Sequence, residues 1–305
     1  MQQITLTANG LSHPCLKQGE GKRLALLLHG FPDTPHTWRR LMPRLAAAGY
    51  TCIAPYMRGY TQMNTPRSLQ ENPLATVQVA DLAADAAALV EAAGFKDALL
   101  VGHDWGAITA YAAANLAPAK FTGLVTLSVP HLKVFLSNLW KNPTQVLQSW
   151  YILFFQLRLG IPEARVARDN FAFIAELWAK WSPGAALDAD ALTAVKNAFS
   201  DEQILKNALA YYRGLLSPFV SELAQYNRSR ELSFAPVAIP TLTLTGSADG
   251  CILPEMFEGM HTEIANEFTL RILPQVGHFL TMESDERIAQ EIFKFTEAED
   301  RRKTG

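Results

Sequence analysis

Few stretches leave a chain as little conformational choice as Leu99-Leu100-Val101-Gly102-His103-Asp104-Trp105-Gly106. An apolar run ends in a small residue, one spacer, Asp, one spacer and Gly. The Ala-rich segment Ala107 to Ala117 follows and stops at Pro118. That order predicts a strand, a sharp turn and a helix. Having no side chains, Gly102 and Gly106 let the two backbones approach, and the residue between them is lifted above the sheet on a strained turn. This is the shape of a nucleophile elbow, with Asp104 where Ser usually stands. A carboxylate nucleophile suits attack on an electrophilic alkyl carbon, giving an alkyl-enzyme ester. It does not suit ordinary ester or peptide hydrolysis. The local pattern alone equally fits a helix N-terminus with an acidic residue favoured by the dipole, so the rest of the chain decides.

The 305 residues leave room for one large core, or for a core and an inserted subdomain. A net charge of -2 gives no reason to expect nucleic acid or an anionic membrane as partner. Cys15, Cys52 and Cys251 are too few and too scattered for a disulfide framework or a metal site. They read as reduced thiols of a cytoplasmic protein. The start, Met1-Gln2-Gln3-Ile4-Thr5, has neither the basic nor the apolar region of a signal peptide. No apolar run approaches the ~18 residues of a membrane span. The charged end, Glu297 to Gly305, is expected to fray.

Taken in order, Ile4 to Ala8 alternates as a first strand and Asn9-Gly10 turns it back. Leu24 to Leu28 is a buried-strand run ending in His29-Gly30-Phe31-Pro32-Asp33. A helix from about Trp38 to Ala48 closes on Gly49, and Tyr50 to Ala54 is the next strand. Met57-Arg58-Gly59-Tyr60 opens a polar loop that lasts to about Leu74. Thr76 is placed to cap a long helix ending at Gly94. Asp97 to Val101 and Phe121 to Ser128 are strands. From Leu132 to about Ser229 only helical patterns appear, among them Ala164 to Lys180, Asp188 to Phe199 and Glu202 to Leu216. Of the chain's 30 Phe, Trp and Tyr, 14 lie between Phe135 and Phe219, so this block has an aromatic core of its own or covers an aromatic site. Strands then resume at Pro240 to Thr245 and Phe268 to Leu273, with a helix around Glu255 to Ile264 and a closing helix from about Ser284 to Phe295. Alternation of this kind implies a mostly parallel sheet with helices on both faces. The division is a core over residues 1–130 and 230–305 and a helical cap over 131–229.

Asp104, Asp249 and His278 each follow a predicted strand, at the sheet edge where ligands bind in open parallel sheets. Singly, Asp249 is an ordinary turn residue and His278 an ordinary loop histidine. Together they give the chain order nucleophile, acid, His. The loop His29-Gly30-Phe31-Pro32 can present the Phe31 N–H to the elbow, and with the Trp105 N–H would form an oxyanion hole. Phe31-Pro32 is a candidate cis bond.

These motifs, with Arg58-Gly59-Tyr60 and Gly277-His278-Phe279, resemble the α/β-hydrolase superfamily and within it the epoxide hydrolases. The resemblance covers nearly the whole chain, the cap insertion included. It implies two cap tyrosines that bond the epoxide oxygen. One matches Tyr151 in Tyr151-Ile152-Leu153-Phe154-Phe155-Gln156, although Phe154 stands where the family often has a second Tyr. The other matches Tyr212 in Tyr212-Arg213, with Tyr211 as rival. The resemblance implies catalytic roles for Asp104, His278, Asp249, Tyr151 and Tyr212, and substrate contact by Phe31, Trp105, Phe155 and Tyr211. It implies an apolar epoxide and water as reactants, no metal or cofactor, and leaves a homodimer open. Haloalkane dehalogenases share the triad, but there a second halide donor often follows the His-Gly pair, and here that residue is Phe31. A non-catalytic ligand-binding protein on the same scaffold is the reading from another class.

Overall fold

The computed structural model describes residues 1–72, 74–186, 188–216 and 223–304, with side chains to residue 302. The apolar runs of the sequence become the middle of an eight-stranded sheet. The strands are β1 (Gln2–Ala8), β2 (Leu11–Gln18), β3 (Arg23–Leu28), β4 (Tyr50–Pro55), β5 (Ala98–His103), β6 (Phe121–Leu127), β7 (Thr241–Gly246) and β8 (Phe268–Leu273). Their order is β1-β2-β4-β3-β5-β6-β7-β8. Pairing of β2 with β1 and β4 is antiparallel and the remaining pairs are parallel. Every residue of β4, β5 and β7 is buried, which is why these runs lack alternation. β1 lies at the edge and does alternate. The Asn9-Gly10 turn takes positive φ at both residues, as a two-residue hairpin turn requires.

The helices are α1 (Leu41–Ala47), α2 (Arg67–Glu71), α3 (Val79–Ala92), α4 (Trp105–Leu116), α5 (Leu132–Leu139), α6 (Pro143–Gln148), α7 (Trp150–Phe154), α8 (Ile161–Trp181), α9 (Ala189–Phe199), α10 (Glu202–Leu216), α11 (Leu223–Phe234), α12 (Leu280–Glu283) and α13 (Asp285–Thr304). α1 and α13 pack together on one face of the sheet, and α3, α4 and α11 on the other. Among the described residues, α5 to α11 and the turns joining them are all that stands between β6 and β7. Phe219 lies outside the described residues. Asp188 caps α9 by accepting the Ala191 N–H, and Arg39 and Arg40 pair with the same carboxylate, fastening that helix to the core.

Local detail departs from the sequence reading in several places. Thr76 does not cap α3, which begins at Val79 with Gln78 before it. The Thr76 hydroxyl instead accepts from Gln78 Nε2 at 2.8 Å. The helix expected from Trp38 is a 3-10 turn at Pro35–Arg39 followed by the shorter α1. That expected around Glu255 is two 3-10 turns, Pro254–Phe257 and Met260–Glu263, parted by Gly259 at φ +88. The polar loop after Met57 holds a 3-10 turn and α2. α8 is interrupted at Arg168 to Phe171, where Asp169, Asn170 and Phe171 are left-handed. The charged end continues as helix to Thr304, and Arg302 pairs with Glu267 at 2.6 Å.

The register matters most for the site. Leu28 lies beside Gly102, His103 beside Leu127, and Gly246 beside Leu273. The loops that follow β3, β5, β6, β7 and β8 therefore leave one edge of the sheet together. Between β3 and α4 there is no space for a side chain: a Cβ on Gly106 would fall 1.9 Å from the Leu28 carbonyl oxygen. Gly106→Ala is expected to lower stability by about 3 kcal/mol, as overpacking of a rigid contact does. Urea unfolding measures this, and a loss under ~0.5 kcal/mol would show that strand and helix can separate.

Candidate active site

Asp104 joins β5 to α4 with φ 52 and ψ -119, a conformation a non-glycine residue holds at a cost of ~1–3 kcal/mol. The surroundings enforce it. Its N–H donates to the Leu127 carbonyl at 3.3 Å, and its own carbonyl accepts from Ala107 and Ile108 in the first turn of α4. The result is a buried carboxylate, the residue being only 6% exposed. Its Oδ1 accepts the Phe31 N–H at 2.6 Å. Its Oδ2 lies 3.7 Å from His278 Nε2, an ion contact and not a hydrogen bond.

The Phe31 amide is placed by its neighbours. The buried His29 ring donates from Nδ1 to the Gly30 carbonyl at 3.0 Å and accepts the Met57 N–H on Nε2 at 3.1 Å. Burial pushes its pKa down to about 4, so the ring is neutral. Gly30 has no room for a side chain, since a Cβ would meet Asp104 Oδ1 at 2.2 Å. The Phe31-Pro32 peptide is cis. The Trp105 N–H belongs to the first turn of α4, where an amide has no partner within its own helix.

His278 is held at both ends. Its Nδ1 contacts Asp249 Oδ2 at 2.9 Å. Its N–H donates to the Trp181 carbonyl at 3.0 Å. Its carbonyl accepts from the Ser128 hydroxyl at 2.6 Å and from His103 Nε2 at 2.9 Å. Asp249 Oδ1 accepts the Cys251 and Ile252 N–H groups at 2.8 and 2.9 Å. Burial alone would lower the His278 pKa, but the charges of Asp249 and Asp104 override it and raise the value to about 10. The imidazolium thus lies between two carboxylates.

α7 and α10 bring Tyr151 and Tyr212 over this group, with ring centroids 5.7 Å apart. The Tyr212 hydroxyl is buried beside the Trp105 indole and makes no hydrogen bond of ordinary geometry. Its ring stands 5.3 Å from that of Phe31, 5.2 Å from Trp105 and 5.1 Å from Phe155. The Tyr151 hydroxyl lies 3.4 Å from Cys251 Sγ. Burial raises both phenol pKa values well above the usual range, and the nearby Asp104 charge adds to this, so both keep their protons as donors. Tyr211 is separated from its neighbour by the helical turn. Its hydroxyl donates to the Arg58 carbonyl at 2.7 Å, leaving only its ring beside Trp105 at 5.3 Å. Phe155 packs against Phe31 at 5.4 Å.

The sequence reading missed several residues that the structure places here. Asp33 is fully buried with Oδ2 unpaired, and burial lifts its pKa to about 8. Its place directly after Pro32 was the available signal. Ser128 at φ 64, His103 and Trp181 support His278, and Phe199 stacks on Phe31 at 5.9 Å. Among the described residues, no group of three or more His, Cys, Asp or Glu could hold a metal ion.

A family model described as the alpha/beta hydrolase fold matches residues 26–285. Over 306 residues the chain is 29% identical to "Epoxide hydrolase 4" of Homo sapiens, covering 98% of this chain and 80% of that protein. It is 26% identical to "Epoxide hydrolase" of Caballeronia sordidicola, covering 97% and 93%. Among solved structures, the Bacillus megaterium epoxide hydrolase in complex with an inhibitor superposes with TM-score 0.80 at 26% identity, over 96% of this chain and 100% of that one.

Because the folded pKa of His278 lies above its unfolded value of 6.5, the charged ring stabilises the native state fully below ~6.5. That contribution is lost as pH rises toward about 10. Urea midpoints of the wild type should therefore fall across this window, with a component absent from His278→Gln. A His278 imidazole titrating near neutrality by NMR in the wild type would contradict the assignment.

Proposed function

Since this chain belongs to the α/β-hydrolase fold family, we propose that it is an epoxide hydrolase, opening an epoxide to a vicinal diol through a hydroxyalkyl ester on Asp104. One observation carries the reading: two protonated phenols, one whose hydroxyl makes no hydrogen bond of ordinary geometry, stand over a carboxylate on a strained turn. Ring opening needs that combination, a nucleophile on one side and proton donors for the oxygen that leaves carbon on the other. The names of relatives at 26 to 29% identity support it.

In this reading the two oxygens of Asp104 have different tasks. Oδ1 is already on the Phe31 amide, so Oδ2 is free to attack the epoxide carbon. Tyr151 and Tyr212 hydrogen-bond the epoxide oxygen as the C–O bond breaks, and the proton that the His278 imidazolium gives up passes by way of them to the alkoxide, leaving a hydroxyl, two neutral phenols and a neutral imidazole. Oδ1 is then the ester carbonyl. Alkylation also cancels the Asp104 charge that had helped to hold a proton on His278. The imidazole becomes a base at the step that requires one. Oriented by Asp249, it takes a proton from water, and the hydroxide attacks the ester carbonyl. The oxyanion on Oδ1 is received by the Phe31 and Trp105 N–H groups, and the diol departs.

Residues 131–229 act as the cap over this chemistry, supplying both tyrosines and the wall formed by Phe155 and Phe199. That wall, with Phe31 and Trp105, suits an apolar epoxide. Phe31 offers no side-chain donor to a halide, which favours epoxide over alkyl halide. Among the described residues, no helix is long and apolar enough to cross a membrane. The three free, buried thiols fit the reducing cytoplasm we assign it.

Asp104→Ala is expected to abolish turnover. His278→Ala mixed with styrene oxide should accumulate an adduct of the whole epoxide on the Asp104 peptide, read by intact mass. Absence of that adduct, with one formed from an alkyl bromide instead, would move the assignment to dehalogenase. Tyr212→Phe should slow adduct formation by about 10²-fold.

A further inference from the structure

Cys251 takes no part in the steps above, yet each of its polar groups is engaged at the site. It is 1% exposed. Its N–H donates to Asp249 Oδ1 at 2.8 Å. Its carbonyl accepts from Gln145 Nε2 at 2.9 Å. Its Sγ lies 3.4 Å from the Tyr151 hydroxyl. Gln145 is itself fully buried. It accepts the Leu253 N–H at 2.8 Å and donates to the hydroxyl of Ser149, the residue before α7, at 3.1 Å. The loop carrying Asp249 is thus tied to the helix carrying Tyr151 through one buried amide and one buried thiol. The two tyrosines are not equivalent, because Tyr212 has no such partner.

We propose that Cys251 is the positioning residue for Tyr151, its thiol holding the phenol hydroxyl ready for the epoxide oxygen while Gln145 fixes the loop that bears the thiol. The inference rests on the epoxide-opening reading above. A thiol suits the task. It is a weak donor and acceptor, so the phenol exchanges this bond for one to the epoxide oxygen at little loss. An amide or carboxylate in its place would compete for the phenol proton. Burial, with Asp249 and Asp104 close by, keeps the thiol protonated, so no thiolate opposes the developing alkoxide.

The contact divides cleanly along the reaction. The Cys251 side chain meets Tyr151, which acts only in ring opening. Its backbone N–H meets Asp249, which acts on His278 in ester hydrolysis, and that N–H survives substitution of the side chain by Ala or Ser. Cys251→Ala should therefore slow ester formation and leave ester hydrolysis alone.

The test uses the full-length protein and styrene oxide. In the His278→Ala background, intact mass follows the rate of adduct formation. In the His278 enzyme, single-turnover quench follows decay of the ester. Cys251→Ala should slow formation roughly tenfold and leave decay within twofold, the size expected of one lost hydrogen bond. Cys251→Ser should recover most of the rate, and Cys251→Ala should have no further effect when Tyr151 is already Phe. Unchanged formation in Cys251→Ala overturns the inference. So does equal slowing of both steps, which would place the effect at Asp249 and His278. If His278→Ala with Cys251 intact gives no adduct at all, the epoxide-opening reading itself fails and this inference goes with it.

Discussion

Where β3 ends, a Cβ on Gly106 would stand 1.9 Å from the Leu28 carbonyl, and one on Gly102 would stand 2.2 Å from the Gly106 carbonyl. The rest of the site hangs on this crossing of strand, loop and helix. It forces the chain at Asp104 into a left-handed turn and sets the first amides of α4 beside the loop after β3. From that loop the Phe31 N–H reaches the Asp104 carboxylate. The backbone alone therefore delivers the Asp104 carboxylate and the amide that meets it, the pair on which the proposed ester chemistry rests. His278, Tyr151 and Tyr212 are then added by elements far away in sequence.

Burying two carboxylates and an imidazolium together is expensive, because each charge leaves water. The structure offsets that cost with directed N–H groups rather than with more charge. Asp249 receives the amides of Cys251 and Ile252, and Asp104 that of Phe31. Charge-assisted bonds of this kind are among the stronger available in a protein interior. Asp33 shows the alternative. Burial lifts its pKa to about 8, and at neutral pH it keeps its proton instead of adding a third negative charge.

Much of the fold was legible because buried parallel strands write themselves as unbroken apolar runs, and Leu24 to Leu28 and Leu99 to Val101 are such runs. Asp104, Asp249 and His278 were legible because register brings strand ends to one edge, so position after a strand already encodes proximity. Short turns were not legible. Pro254 to Glu263 has helical composition, yet Gly259 at φ +88 splits it into two 3-10 turns. Thr76 had the right chemistry for a cap and the wrong distance from Val79. The choice between Tyr211 and Tyr212 turned on helix rotation, which one sequence does not fix; the Arg58 carbonyl settles where the Tyr211 hydroxyl goes. Cys251 carried no signal, since Gln145 and Tyr151, the partners outside its own loop, lie about a hundred residues away on α6 and α7.

The last turn of α8 has a mechanical consequence. Its Trp181 carbonyl accepts both the Gly250 N–H at 2.9 Å and the His278 N–H at 3.0 Å. Just beyond it, the Ser182 hydroxyl accepts the Phe279 N–H at 3.0 Å and donates to Glu283 at 2.5 Å. Lifting this end of the helical layer would pull on both loops that hold the imidazole and its carboxylate partner. α8 is therefore a doorpost and not a door. Any opening of the helical layer at this end would break these bonds before it moved the layer, so His278 and Asp249 keep their alignment only while the end of α8 stays in place.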